Sequence, residues 1–173
     1  GPAASKVYQV DQGLSIGGYG EVNYQALVAD KGSENDNADL ERLVLYFGYK
    51  FNDSIILNSE IEFEHSSTSK SGSVSVEMMT LDFLIDPLVN IRAGLTLTPM
   101  GFINLVHEPP FYFGNNRPEV ERVIIPSTWR NIGGGLFGQI TPDVNYTMYA
   151  VTGLNAEGFT SGGIRGGRQK GSK

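Results

Sequence analysis

With 173 residues and a net charge of −6 at pH 7, the chain is sized for one domain, and the sign of its charge argues against a nucleic-acid partner. It has no cysteine, which rules out a disulfide framework and thiolate metal sites. Although 40% of it is hydrophobic, no run approaches the roughly 20 consecutive apolar residues of a membrane helix. Glycine occurs 22 times, well above the usual share of about 7%, in the company of Val, Ile, Tyr and Thr, which favours strands and turns.

In chain order, residues 1–13, opening on Gly1-Pro2, read as the remnant of a tag or leader or as a periplasmic start. Turn chemistry divides the rest of the chain into segments of ten residues or so, long enough for a tilted strand to cross a bilayer core. Strands are predicted over 14–28, 40–51, 54–65, 73–85, 88–97, 131–141 and 144–154, with an eighth beginning near Gly162. No helix is expected among these segments.

Period-two alternation is clearest in the third segment, where Ile55, Leu57, Ser59, Ile61 and Phe63 interleave with Ile56, Asn58, Glu60, Glu62 and Glu64. The second sets Leu43, Leu45, Phe47, Tyr49 and Phe51 against Arg42, Val44, Tyr46, Gly48 and Lys50. In the fourth, Val74, Val76 and Met78 share one parity while Leu81, Phe83 and Ile85 share the other, so a β-bulge is expected near Met78-Met79.

The connections alternate too. Asn52-Asp53, Asp86-Pro87 and Pro142-Asp143 are tight turns, whereas 29–39, 66–72 and 99–130 are long links. Short turns at one end and long loops at the other are how transmembrane barrels are built. Residues 169–173 form a polar tail.

The apolar faces recur while the opposite faces carry Glu21, Arg42, Lys50, Glu60, Glu62, Glu64, Glu77, Asp82 and Arg92, a lining suited to a wet lumen. Tyr49 and Phe51 stand at a turn, where a porin places its aromatic girdle. A soluble sandwich or barrel with one wet face is the competing reading. The long link weighs against it: connections of that length are uncommon in compact domains and usually functional. Pro109, Pro110, Pro118 and Pro126 stiffen it, and Phe111, Tyr112, Phe113 and Trp129 let it pack inward.

The stretch HEPPFYFGNNRPEVERVIIPSTWR, followed by NIGGGLFGQIT, resembles the phosphate-selective porin O and P family. The resemblance implies a 16-stranded outer-membrane barrel, of which this chain supplies seven or eight antiparallel strands over 14–168, with 99–130 as the loop that folds in and narrows the channel. Family members line the pore with Lys and Arg. Here acidic residues outnumber basic ones on the inferred lumen faces, so a weakly selective or cation-leaning pore fits equally well.

Within the long link Arg117, Glu119, Glu121, Arg122 and Arg130 are the expected constriction charges, set across the permeation path or pinning the loop to the wall. No metal or other cofactor is expected: His65 and His107 each adjoin a glutamate, but strand neighbours point to opposite faces and a site needs three or four converging ligands. Glu60, Glu62 and Glu64 have the spacing of paired glycosidase carboxylates but no cleft around them. Gly133-Gly134-Gly135 lacks the following helix of a phosphate cradle, and no nucleophile stands beside a base.

The expectation is therefore a non-enzymatic, partial porin β-barrel in a bacterial outer membrane. It would be surrounded by the lipid bilayer and lipopolysaccharide, pass small hydrophilic solutes or ions, and assemble, as porins do, as a homotrimer. A non-pore barrel acting as scaffold, adhesin or sheath, or a soluble all-β binding domain, is the alternative. A barrel of seven or eight strands has its interior filled by side chains, leaving no room for such a loop, so further strands are expected.

Overall fold

The computed structural model describes residues 4–26, 28, 36–67, 70–125, 128–161, 163, 164, 166 and 167. Seven strands form one antiparallel sheet in sequential order: β1 Gly13–Gln25, β2 Asn37–Asn52, β3 Ile55–Glu64, β4 Ser73–Leu84, β5 Asn90–Leu97, β6 Arg130–Thr141 and β7 Val144–Val151. Each strand pairs with its neighbours in the chain, and β1 and β7 do not pair with each other, so the sheet is open. The predicted eighth strand begins at a residue outside those described, as do the 169–173 tail and most of the link before Asn37. Among the described residues that come after β7 there is an isolated Thr160–Gly163 bridge.

The turns obey their chemistry. Asn52 Oδ1 accepts from the backbone N–H of Ser54 (2.8 Å) and Ile55 (2.9 Å), closing the β2–β3 hairpin. Asp86 and Val89 exchange backbone bonds of 3.2 and 3.0 Å across the β4–β5 turn, while Asp86 Oδ1 takes the Leu88 N–H. An Asx side chain supplies the acceptor in both cases. Because strands run alternately up and down, these turns and Pro142-Asp143 all lie at one end of the sheet and the long links at the other.

Of the sheet's register shifts, two shape the faces. Glu60 pairs with Met78 and Ile61 with Val76, leaving Glu77 as an extra residue in β4. The parity of β4 changes there: Glu77 and Met78 are both buried, and Thr80 and Asp82 continue inward while Met79 points out. The bulge sits one residue before the predicted Met78-Met79. The second shift leaves Glu41 of β2 unpaired between Glu21↔Arg42 and Val22↔Leu40.

The sheet's polarity is inverted relative to a soluble protein. Leu14, Ile16, Val22, Leu43, Phe47, Phe51, Val74, Val76, Ile91, Ile132 and Met148 are exposed on one face, Val22 by 77%. The other face buries Arg42, Asn58, Glu60, Glu62, Glu77, Thr80, Asp82, Asn90, Thr96 and Asn131. Soluble sheets bury their apolar side and wet the polar one. The core cluster, Ala4, Val44, Tyr46 and Met78 with Tyr19 beside it, lies on this polar face.

Candidate functional site

Two segments cover the polar face. The first is the link between β5 and β6, whose neck is sealed by Asn104: Nδ2 donates to the carbonyls of Thr98 (2.6 Å) and Trp129 (2.9 Å), and Oδ1 accepts the Trp129 N–H (2.7 Å). Thr98 N–H also bonds the Trp129 carbonyl at 2.9 Å, extending the β5–β6 ladder into the link. One wholly buried amide thus fixes both stems, which a stretch of more than two dozen residues needs if it is to hold one shape.

Beyond the neck the link is pinned to the wall by charge. His107 Nδ1 donates to the Asn104 carbonyl (2.9 Å), and its Nε2 lies 3.4 Å from Glu60 Oε1. Tyr46 Oη donates to Glu108 Oε1 at 2.9 Å. Arg130 pairs with Glu77, which also accepts from Ser75 Oγ (3.0 Å). Inside the link, Glu121 Oε1 accepts the Phe102 N–H (2.7 Å), and Gly101 (φ 78°) lies so close that a Cβ there would meet the Glu121 carboxylate at 2.5 Å. Arg117 stacks over Tyr112 (5.6 Å to the centroid) and donates to its hydroxyl (3.0 Å), while that hydroxyl donates to the His107 carbonyl (2.7 Å).

The second cover is the 3₁₀ segment Ala4–Gln9, which lies against β1, β2 and β3. Val7 sits on Gly48, where a Cβ would come within 2.5 Å of it; glycine is the residue that allows that approach. Tyr8 Oη donates to Asp82 Oδ2 (2.6 Å) and accepts from Arg92 Nη2 (3.1 Å). Burial raises the Tyr8 pKa, with Asp82 adding to the rise against Arg92, so the hydroxyl keeps its proton and donates.

The predicted constriction charges separate into two groups. Arg117, Glu119 and Arg122 line a cavity of about 500 Å³ at the long-link end, together with Glu21, Arg42, Glu41 and Glu64. Glu119 and Arg122 form an exposed pair at 2.9 Å. Glu121 and Arg130 are not at that cavity: the first is buried within the link, and the second, the first residue of β6, pairs across β5 with Glu77 of β4.

The predicted lumen lining divides similarly. Glu60 and Asp82, 1% and 0% exposed, lie under the covers with Glu62 and Glu77, and their carboxylates are engaged by His107, Arg92, Arg42 and Arg130. Arg42 also pairs with Glu21 at 2.7 Å. Arg92 makes two bonds to Asp82 (2.7 and 2.6 Å) and lies over Phe137 at 4.9 Å. Lys50 stands at the tight-turn end, 3.3 Å from Asp53 and beside a cavity of about 400 Å³. The acidic excess counted along the strands is therefore largely consumed in anchoring.

Sequence reasoning missed Asn104 and the wall role of residues 4–9. It also missed that Asp39 and Glu41 converge on His65, whose ring contacts Asp39. These are cross-strand relations that depend on register.

What fold and site define is an antiparallel β-sheet with an exposed apolar face, a charged face under cover and a long link folded over that charged face. No known protein family matches the chain, and no solved structure does. In an alignment 163 residues long that covers 91% of the chain, it is 45% identical to an uncharacterized protein of Aquifex aeolicus strain VF5. The matched segment covers 36% of that relative, so the chain spans about a third of the relative's length.

Proposed function

We propose that the chain is part of an outer-membrane β-barrel that passes small hydrophilic solutes or ions by passive diffusion, with the link between β5 and β6 as its constriction. The observation that carries this reading is the inverted polarity of the sheet. Leu, Ile, Val and Phe side chains on every second position of the outer face match the hydrocarbon of a bilayer, and the charged inner face matches a water-filled lumen. Segregation of the long links to one end supports the same reading.

An open sheet does not sit in lipid, because each unpaired edge group costs several kcal/mol there. The barrel is accordingly closed by strands beyond β1 and β7, from the remainder of a longer chain or from other copies. The length of the Aquifex relative leaves room for the first arrangement. Sixteen strands would give a lumen wide enough for the link.

In the constriction, Arg117, Glu119 and Arg122 of the link line the 500 Å³ cavity together with Glu21, Glu41, Arg42 and Glu64 of the wall. Opposed charges of this kind set a field across the path and select by charge rather than by tight binding. Bilayer recordings on the full-length protein check the reading. We expect ohmic single-channel steps and a more cation-preferring reversal potential in the Arg117→Ala, Arg122→Ala double variant. Absence of conductance with an intact fold would favour the scaffold or sheath reading, and a monomer stable without detergent would end the membrane reading.

A further inference from the structure

We propose that Asp39, Glu41 and His65 form a site for a divalent transition cation of the zinc class at the long-link rim of the wall. One donor atom from each residue can be chosen so that all three lie within 4.8 Å of one another. Donors on one tetrahedral zinc ion, with bonds of roughly 2.0–2.2 Å, lie about 3.3–3.6 Å apart, so the set closes when the carboxylates turn in by about an ångström and the Asp39–His65 contact opens to admit the ion.

The fold builds this convergence from two strands. Arg42 pairs with Glu64, which puts Glu41 opposite His65, and the His65 N–H donates to the Glu41 carbonyl at 3.2 Å. Glu41 is the unpaired residue of the β1–β2 bulge, and bulges re-aim side chains at functional sites. His65 has φ 48°, the one non-glycine residue with positive φ among those described. That conformation is uncommon for a residue with a Cβ, and it occurs where the imidazole reaches Asp39.

Donor chemistry selects the ion. Calcium and magnesium take oxygen-rich sets and keep several further oxygens or waters, whereas an imidazole nitrogen with two carboxylates suits zinc and its first-row neighbours. Three protein ligands leave a coordination position for water or solute. Glu41 also lines the 500 Å³ cavity, which gives an ion a route to the site. Arg42 loses little if Glu41 turns to a metal, since that contact is its longest at 3.5 Å, against 2.7 and 2.9 Å to Glu21 and Glu62.

Calorimetric titration of zinc chloride into the full-length protein in detergent tests the site without reference to conductance. One saturable event per chain is expected. Because even a lost outer partner of a metal ligand costs roughly 10–100-fold in affinity, His65→Ala and the near-isosteric Glu41→Gln should each weaken binding at least tenfold. Cobalt should give visible d–d bands that vanish in His65→Ala. Circular dichroism identifies variants that are folded, and Glu41→Gln decides the matter if His65→Ala is not. No saturable zinc binding, unchanged affinity in the folded variants, or equal affinity for calcium would each overturn the proposal.

Discussion

The β5–β6 link and the segment Ala4–Gln9 cover the same wall, the first through ion pairs and hydrogen bonds, the second chiefly through an apolar wedge. His107 and Glu108 of the link meet Glu60 and Tyr46, and Arg130 at its foot in β6 meets Glu77, whereas Ala4 and Val7 are buried near Val44, Tyr46, Gly48 and Met78, with Tyr8 tied to Asp82. The difference shows what a charged wall does to its covers. Directional pairs define one position for a long link but leave a buried charge behind when one partner is lost. An apolar wedge loses only its burial and can leave intact.

The largest effect should therefore come where the link meets the wall, at Arg130 in the first position of β6. Arg130→Ala strands Glu77, 2% exposed, and breaking a buried pair in this way costs about 3–5 kcal/mol. The measurement is denaturant or heat unfolding in detergent. Glu77→Gln with Arg130→Met should recover most of the loss, because removing both charges removes the penalty. A loss below about 1 kcal/mol in Arg130→Ala, the scale of a solvent-exposed pair, would mean that solvent reaches Glu77 and that the foot of the link is not anchored by this pair.

Gly48→Val attacks the wedge. Its side chain claims space within 2.5 Å of Val7, and overpacking typically costs about 1–3 kcal/mol if the segment stays in place. Departure of residues 4–9 is the cheaper outcome, so trypsin should cut after Lys6 in the variant and not in the parent. Under the pore reading, single-channel conductance should rise, with the link still protected. Protection unchanged in both segments would show that the wedge accommodates the new side chain.

How much of this was legible depends on whether a feature is local. Strand periodicity is local, and all seven strands stand where alternation puts them, with ends shifted by a few residues: β5 starts at Asn90 rather than 88, and β7 ends at Val151 rather than 154. The β4 bulge was legible because its parity slip is written in adjacent residues. The roles of Glu121, Arg130 and Asn104 were not. Each depends on which backbone or carboxylate the folded link brings opposite it, and a charge in a loop reads the same whether it faces solute or a buried partner. The N-terminal segment carries no strand pattern, so its address on the wall exists only through Gly48 and Asp82, far along the chain.

The smallest effect separates the wedge's polar tie from its apolar body. Tyr8→Phe keeps the ring and removes a hydrogen bond to a charged group, worth about 1.5–3 kcal/mol when partners stay buried. Asp82 retains two bonds from Arg92, so it is not orphaned, and the loss should fall at or below the low end of that range. Trypsin should then cut after Lys6 only slowly, and conductance should stay near that of the parent. A Tyr8→Phe variant as open to trypsin as Gly48→Val would reverse the comparison: the segment would be held by its hydroxyl rather than by Val7, and both covers of the wall would be polar.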